Sequence, residues 1–188
     1  MKKELLGILE KYKQKIPNEK DRQDKLISFL NKQDEDKITD WNNFEGHIVA
    51  SGFIYAKNEK KFLVLYHKDM KMYLYPGGHM DKYDKTPLSA AIREIAEETS
   101  IRNIEQINIV NDALIPIDID THLIKYNERL NLPEHFHFDF RYLFTVEKTQ
   151  DINVDTEELS KFKWISISEL LEDKNYGNVA LKICNLLE

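Results

Sequence analysis

Cysteine, glycine and proline are scarce in this sequence, and no apolar stretch is long. A single cysteine, Cys184, among 188 residues excludes an intrachain disulfide and fits a reducing compartment. Six glycines and five prolines exclude collagen-like and low-complexity classes. The longest apolar stretches, such as Phe62 to Tyr66, are strand-sized, far below the roughly 20 residues that a membrane helix requires. An excess of positive charge is missing too. The 27 basic and 33 acidic residues give a net charge of −6, which argues against a general binder of nucleic-acid backbones. A small phosphorylated ligand remains compatible with that charge, because bound cations invert the local sign. The opening Met1-Lys2-Lys3-Glu4-Leu5-Leu6 is interrupted by charge before a signal-length apolar run develops, so a cytoplasmic protein without a membrane partner is expected.

At this length one core can bury roughly 70% of the surface exposed by the unfolded chain, without metal or disulfide staples. Residues 1–44 read as a helical N-terminal extension and 45–188 as the main domain. Leu5, Leu6, Leu9, Tyr12 and Ile16 form one apolar stripe at helical spacing. Pro17-Asn18 breaks the chain, and Asn18 is placed to cap a second helix carrying Leu26, Ile27 and Leu30. The extension could be a lid, a dimerisation element for a homodimer or plain packing, and packing is the simplest of the three.

From Gly46 onward the pattern turns to strands. Ile48–Ala56 and Lys61–His67 resemble a hairpin joined by Lys57-Asn58-Glu59-Lys60. Pro76-Gly77-Gly78 reads as a turn, and Thr86-Pro87 as the cap and first residue of a helix reaching about Thr99. Further strands are expected near 107–109, 113–119, 135–146 and 162–165, with short helices near 168–171 and 179–187. The class is α+β.

The informative segment is Arg93-Glu94-Ile95-Ala96-Glu97-Glu98. At 100° per residue Leu88, Ile92, Ile95 and Thr99 share a sector expected to pack on the sheet, with Glu94, Glu97 and Glu98 roughly opposite. Like charges at three- and four-residue spacing destabilise a helix by about 0.2–0.5 kcal/mol per pair. A divalent cation resolves that conflict, and hard oxygen donors suit Mg2+ or Mn2+.

With Gly78, Asp84 and the Arg93-Glu94-x-x-Glu97-Glu98 core, residues 45–170 resemble the Nudix hydrolase family. Asp84 supplies the signature's first acid with one extra spacer residue, or else Lys85 replaces it, and Ser100 stands where the family has glycine. The resemblance implies an α/β/α sandwich with a mixed sheet and Mg2+- or Mn2+-dependent cleavage of a nucleoside diphosphate linked to another moiety. ADP-ribose-like substrates come slightly ahead of nucleoside triphosphates. It implies that Glu94, Glu97 and Glu98 hold the metal, that the Gly78 carbonyl faces it, and that Arg93 with Asp84 is structural support. Glu158, six residues before Trp164, is the candidate general base. A non-catalytic nucleotide-binding regulatory module on the same fold is the competing reading.

Strand 135–146 alternates sharply, with Phe136, Phe138, Phe140, Tyr142, Phe144 and Val146 on one side and His135, His137, Asp139 and Arg141 on the other. The second row is expected to line a substrate cleft above the carboxylate helix. A separate metal site within that row is disfavoured, since same-face residues of one strand form a line rather than a tetrahedron. His47, His67, His79 and His122 are expected to be surface or packing residues, and Cys184 to be buried and inert.

Overall fold

A computed structural model describes residues 1–128, 131–152, 154, 158–174 and 176–187. The helices are α1 (Lys2–Lys15), α2 (Asp24–Lys32), α3 (Pro87–Thr99), α4 (Ile167–Glu172) and α5 (Gly177–Leu187). The strands are β1 (Gly46–Ala56), β2 (Lys61–His67), β3 (Met72–Leu74), β4 (Gly77–His79), β5 (Glu105–Ile107), β6 (Asp118–Ile124), β7 (His135–Val146) and β8 (Leu159–Ser166). They form one mixed sheet in which β3, β2, β1, β7 and β5 are successive neighbours, while β4 pairs with β1, β6 with β7 and β8 with β2. Among the described residues no helix is long and apolar enough to cross a membrane.

Parallel pairing of β1 with β7 sets the geometry, running from Gly46 opposite Phe136 to Ala56 opposite Val146. Alternation then assigns every side chain of these strands to one of two faces. Ile48, Ala50, Ile54, Phe138, Phe140, Tyr142 and Phe144 join Leu5, Leu9, Leu26, Phe29 and Ile95 in one core cluster. Phe53, Tyr55, Leu143 and Ile165 join Leu170, Val179, Ala180 and Ile183 in a second. Helices α1, α2 and α3 therefore cover one face, and α4 and α5 cover part of the other. The N-terminal residues share the core of the main domain: the Phe29 and Phe138 ring centroids are 4.7 Å apart.

Several elements differ from the sequence expectation. Residues Pro17–Gln23 form a 3-10 segment, and α2 starts at Asp24 without a side-chain cap, so Asn18 does not cap it. The strand expected at 113–119 begins at Asp118 and runs to Ile124, since Pro116, with no N–H to donate, precedes it. The strand expected at 107–109 lies at Glu105–Ile107. Cys184 is half-buried, because α5 turns Val179, Ala180 and Ile183 inward instead.

Helix α3 starts as its sequence indicates. Thr86 Oγ1 accepts from the Ser89 N–H at 3.1 Å, the Ser89 hydroxyl accepts from the Thr86 N–H at 3.1 Å, and Pro87 follows the cap. It ends on Ser100 in the left-handed conformation, φ 61° and ψ 5°. The buried arc holds Ala90, Ala91, Ile95 and Thr99, whereas Ile92 is 42% exposed. Ile92 is therefore not a core residue. Gly52 explains the centring: a Cβ there would lie 2.5 Å from Ile95 Cδ1, so its absence lets the helix settle with Ile95 deepest.

Ile95→Ala should cost about 2–5 kcal/mol in denaturant unfolding, and Ile92→Ala less than about 0.5 kcal/mol. Ser100→Gly should raise stability by about 0.5–1 kcal/mol. Relief of about 1–2 kcal/mol of left-handed strain exceeds the roughly 0.5–1 kcal/mol of extra chain entropy that glycine loses.

Candidate active site

The same centring rotates two of the three glutamates toward the sheet. At 100° per residue Ala91 falls between Glu98 and Ile95, with Glu94 just beyond Glu98. Glu94 and Glu98 thus lie within the sheet-facing arc rather than opposite it, and only Glu97 points outward. Side-chain exposure agrees, at 15% for Glu94 and 60% for Glu97. Glycines make the room. A Cβ on Gly78 would lie 2.8 Å from the Glu94 carboxyl carbon, and the Gly77 N–H donates to Glu98 Oε2 at 2.9 Å.

Arg93 knits the group together. Its Nη2 donates to Asp84 Oδ2 at 2.8 Å and to the His79 carbonyl at 2.8 Å. Its Nη1 reaches Glu94 Oε1 at 2.9 Å and Glu97 Oε2 at 2.7 Å, so both carboxylates lie within reach of one nitrogen. Three carboxylates share one guanidinium, which leaves the cluster formally at −2 before Glu98 is counted. Burial pushes the Glu94 carboxyl upward against the pull of Arg93. Burial alone would lower Arg93, but Asp84, Glu94 and Glu97 outweigh it and hold the guanidinium above its ordinary value. This is a tight, under-neutralised oxygen cluster.

Glu158 immediately precedes β8. Its side chain is 72% exposed and 3.8 Å from His67 Nε2. The row of β7 is also displaced from its expected place. Gly78 opposes Ala50 in the β1–β4 ladder, which puts α3 on the Phe140 side of the sheet. His135, His137, Asp139 and Arg141 occupy the other side, so the row does not sit above the carboxylate helix. Asp139 accepts from Ser51 Oγ at 2.9 Å and from Arg141 Nε at 2.8 Å. Arg141 Nη1 and Nη2 reach Asp118 and Asp120 at 3.2 and 2.9 Å. The arginine is only 7% exposed, and its three nitrogens each have a carboxylate. Burial acts to lower it, yet the three acids outweigh that and raise it.

The grouping of the histidines is a feature of the fold that the sequence did not display. His47, His79 and His137 gather on this polar face, each offering one nitrogen within 4.8 Å of the others. Burial, helped by the neighbouring His79 and His135, lowers His47 to about 4. Burial likewise lowers His79 and His137. These three rings come from three strands, and only the pairing register reveals that they share a face.

Comparison with known proteins agrees with the geometry. The probable DHNTP pyrophosphohydrolase of Lactococcus lactis is 28% identical over 130 residues, covering 69% of this chain and 74% of that protein. A Nudix-family hydrolase structure from Clostridium perfringens is 26% identical, with a TM-score of 0.56 over 75% of this chain and 95% of that one. The NUDIX domain of a Shewanella oneidensis protein solved with ADP ribose shares the fold, at 14% identity and a TM-score of 0.53, covering 86% of this chain and 98% of that one. Residues 46–183 match the NUDIX domain, a stretch holding the whole sheet, Gly77–Gly78 and α3, and the chain belongs to the Nudix hydrolase family.

Proposed function

We propose that this Nudix-type pyrophosphohydrolase uses Mg2+ or Mn2+ to cleave a phosphoanhydride bond in a nucleoside diphosphate linked to another group. The observation that supports it is the Glu94 carboxylate, half-buried in space that a side chain at Gly78 would fill and sharing Arg93 with two other acids. Carboxylates of Glu94, Glu97 and Glu98 with the Gly78 carbonyl are a hard oxygen set, and they fit such an ion. When bound, the ion supplies charge neutralisation at phosphoryl oxygens and Lewis acidity toward water.

The chain's own groups do the positioning. Arg93 ties Asp84 and the His79 carbonyl to α3, which fixes the Gly77–Gly78 backbone beside the glutamates. The Gly77 N–H holds one Glu98 oxygen and so orients the other. Glu97, outermost of the three, stands where an arriving diphosphate first meets the cluster. Without the ion the formal negative charge would repel that diphosphate, which makes turnover strictly metal-dependent in this reading. The ADP-ribose-like preference expected from sequence stands beside a second class suggested by the Lactococcus lactis relative, the triphosphate of a pterin.

The test is a substrate panel of ADP-ribose, nucleoside triphosphates and dihydroneopterin triphosphate, each with Mg2+ and with Mn2+, read as released phosphate after phosphatase coupling. At least one substrate should turn over, and chelation should abolish it. Glu98→Gln should lower kcat by at least about 100-fold while the melting temperature stays within a few degrees. Binding without turnover across the panel, or parental kcat in Glu98→Gln, would overturn the assignment.

A further inference from the structure

We infer that His47, His79 and His137 form a second metal site, for a borderline divalent ion such as Zn2+ or Co2+, on the sheet face opposite α3. Five of the six histidines of the chain meet there: His47 on β1, His79 on β4, His122 on β6, and His135 and His137 on β7. The ring centroids of the central three are 4.7 Å (His47–His137), 4.8 Å (His47–His79) and 5.3 Å (His79–His137) apart. An ion bound at about 2.0–2.1 Å spaces tetrahedral nitrogen ligands by roughly 3.3 Å. The donors here lie within 4.8 Å of one another, so small side-chain rotations close the site. The backbone needs no change, because β1 pairs with both β4 and β7.

Among the three, His47 is aimed as a ligand is, and two neighbouring rings share its orientation. His135 Nδ1 is 2.7 Å from the Pro133 carbonyl, His122 Nδ1 is 3.0 Å from Asp120 Oδ2, and His47 Nδ1 is 3.5 Å from the Asn43 carbonyl. A ring that donates from Nδ1 to oxygen presents Nε2 as a bare lone pair, the usual orientation of metal-bound histidine. His47 Nε2, on a fully buried ring, has no hydrogen-bond partner among the described residues. With His135 Nδ1 donating to Pro133, the 3.2 Å contact between His135 Nε2 and His137 Nε2 is a hydrogen bond donated by His137, which leaves His137 Nδ1 with a bare lone pair. All donors are imidazole nitrogens, which suit borderline ions and not Mg2+. That separates this site chemically from the oxygen cluster on α3.

The position also gives it a consequence. His79 is the last residue of β4, directly after Gly77–Gly78, and its carbonyl accepts from Arg93. An ion joining His79 to His47 and His137 fastens this three-residue edge strand to β1 and β7. It thereby holds the glycine backbone in register with the α3 carboxylates. His79 is exposed, so the fourth ligand position opens to solvent, beside Trp41 at 6.5 Å between ring centroids.

The test uses the full chain, stripped with chelator and dialysed against Zn2+ in excess Mg2+, with Co2+ as a visible-absorption probe. One ion per chain should be retained, and Zn2+ should raise the melting temperature by several degrees. His79→Asn and His137→Asn should each weaken uptake at least about tenfold, and Glu98→Gln should leave it unchanged. His79 is exposed, so His79→Asn decides the matter if His137→Asn fails to fold. No saturable uptake by the parent, uptake unaltered in His79→Asn, or uptake lost in Glu98→Gln would each overturn the proposal.

Discussion

The parallel register of β1 against β7 is the constraint on which the rest of the molecule depends. Eleven consecutive pairs, from Gly46–Phe136 to Ala56–Val146, lock the two central strands together. Because the side-chain period is two, a slip of one residue would turn Phe138, Phe140 and Tyr142 outward and press His137, Asp139 and Arg141 into the apolar layer. Neither alternative is tolerable to the sequence. The register therefore places α3 on one side and the histidines on the other, with β4 between them as the shared edge.

Polar chemistry is also built into the frame away from the carboxylate helix. Asp118, only 1% exposed, meets Arg141 of β7, Arg22 of the 3-10 segment and Lys182 of α5. Charges this deep are stable only as a set, since removing one partner leaves another buried without compensation. The set joins the N-terminal segment, the central sheet and the last helix. Residues 1–44 are thus fastened to the domain by both ionic and apolar contacts, a stronger attachment than their composition implied.

How much of this was legible in the sequence depended on the range over which the information acts. Local signals read correctly: the Thr86-Pro87 start of α3, the turn between β1 and β2, and the alternation of β7. The carboxylate trio was legible too, because residues three and four apart on a helix are neighbours by geometry alone. The rotation of that helix was not. Its facing arc is decided by Gly52, more than forty residues away, which admits Ile95 and leaves Ile92 at the margin. The gathering of the histidines was hidden for the same reason. His47 and His79 carry no local mark, and their shared face exists only once β1, β4 and β7 are paired. The start of β6 at Asp118 rather than 113 follows from Pro116, which cannot donate to a ladder.

The Lys182 ammonium also bears on the order in which the chain can become itself. It donates to the Tyr12 hydroxyl at 3.1 Å and to Glu19 at 2.8 Å, contacts separated by 170 and 163 positions along the chain. Tyr12 is fully buried, and its hydroxyl is held both by nearby Glu19 and by Lys182 of α5. The polar closure around Tyr12 is therefore complete only once α5 has docked. Closure of so long a loop is entropically slow and places docking of the two ends late in folding. The contact between residues 12 and 182 thus marks completed folding rather than its first steps.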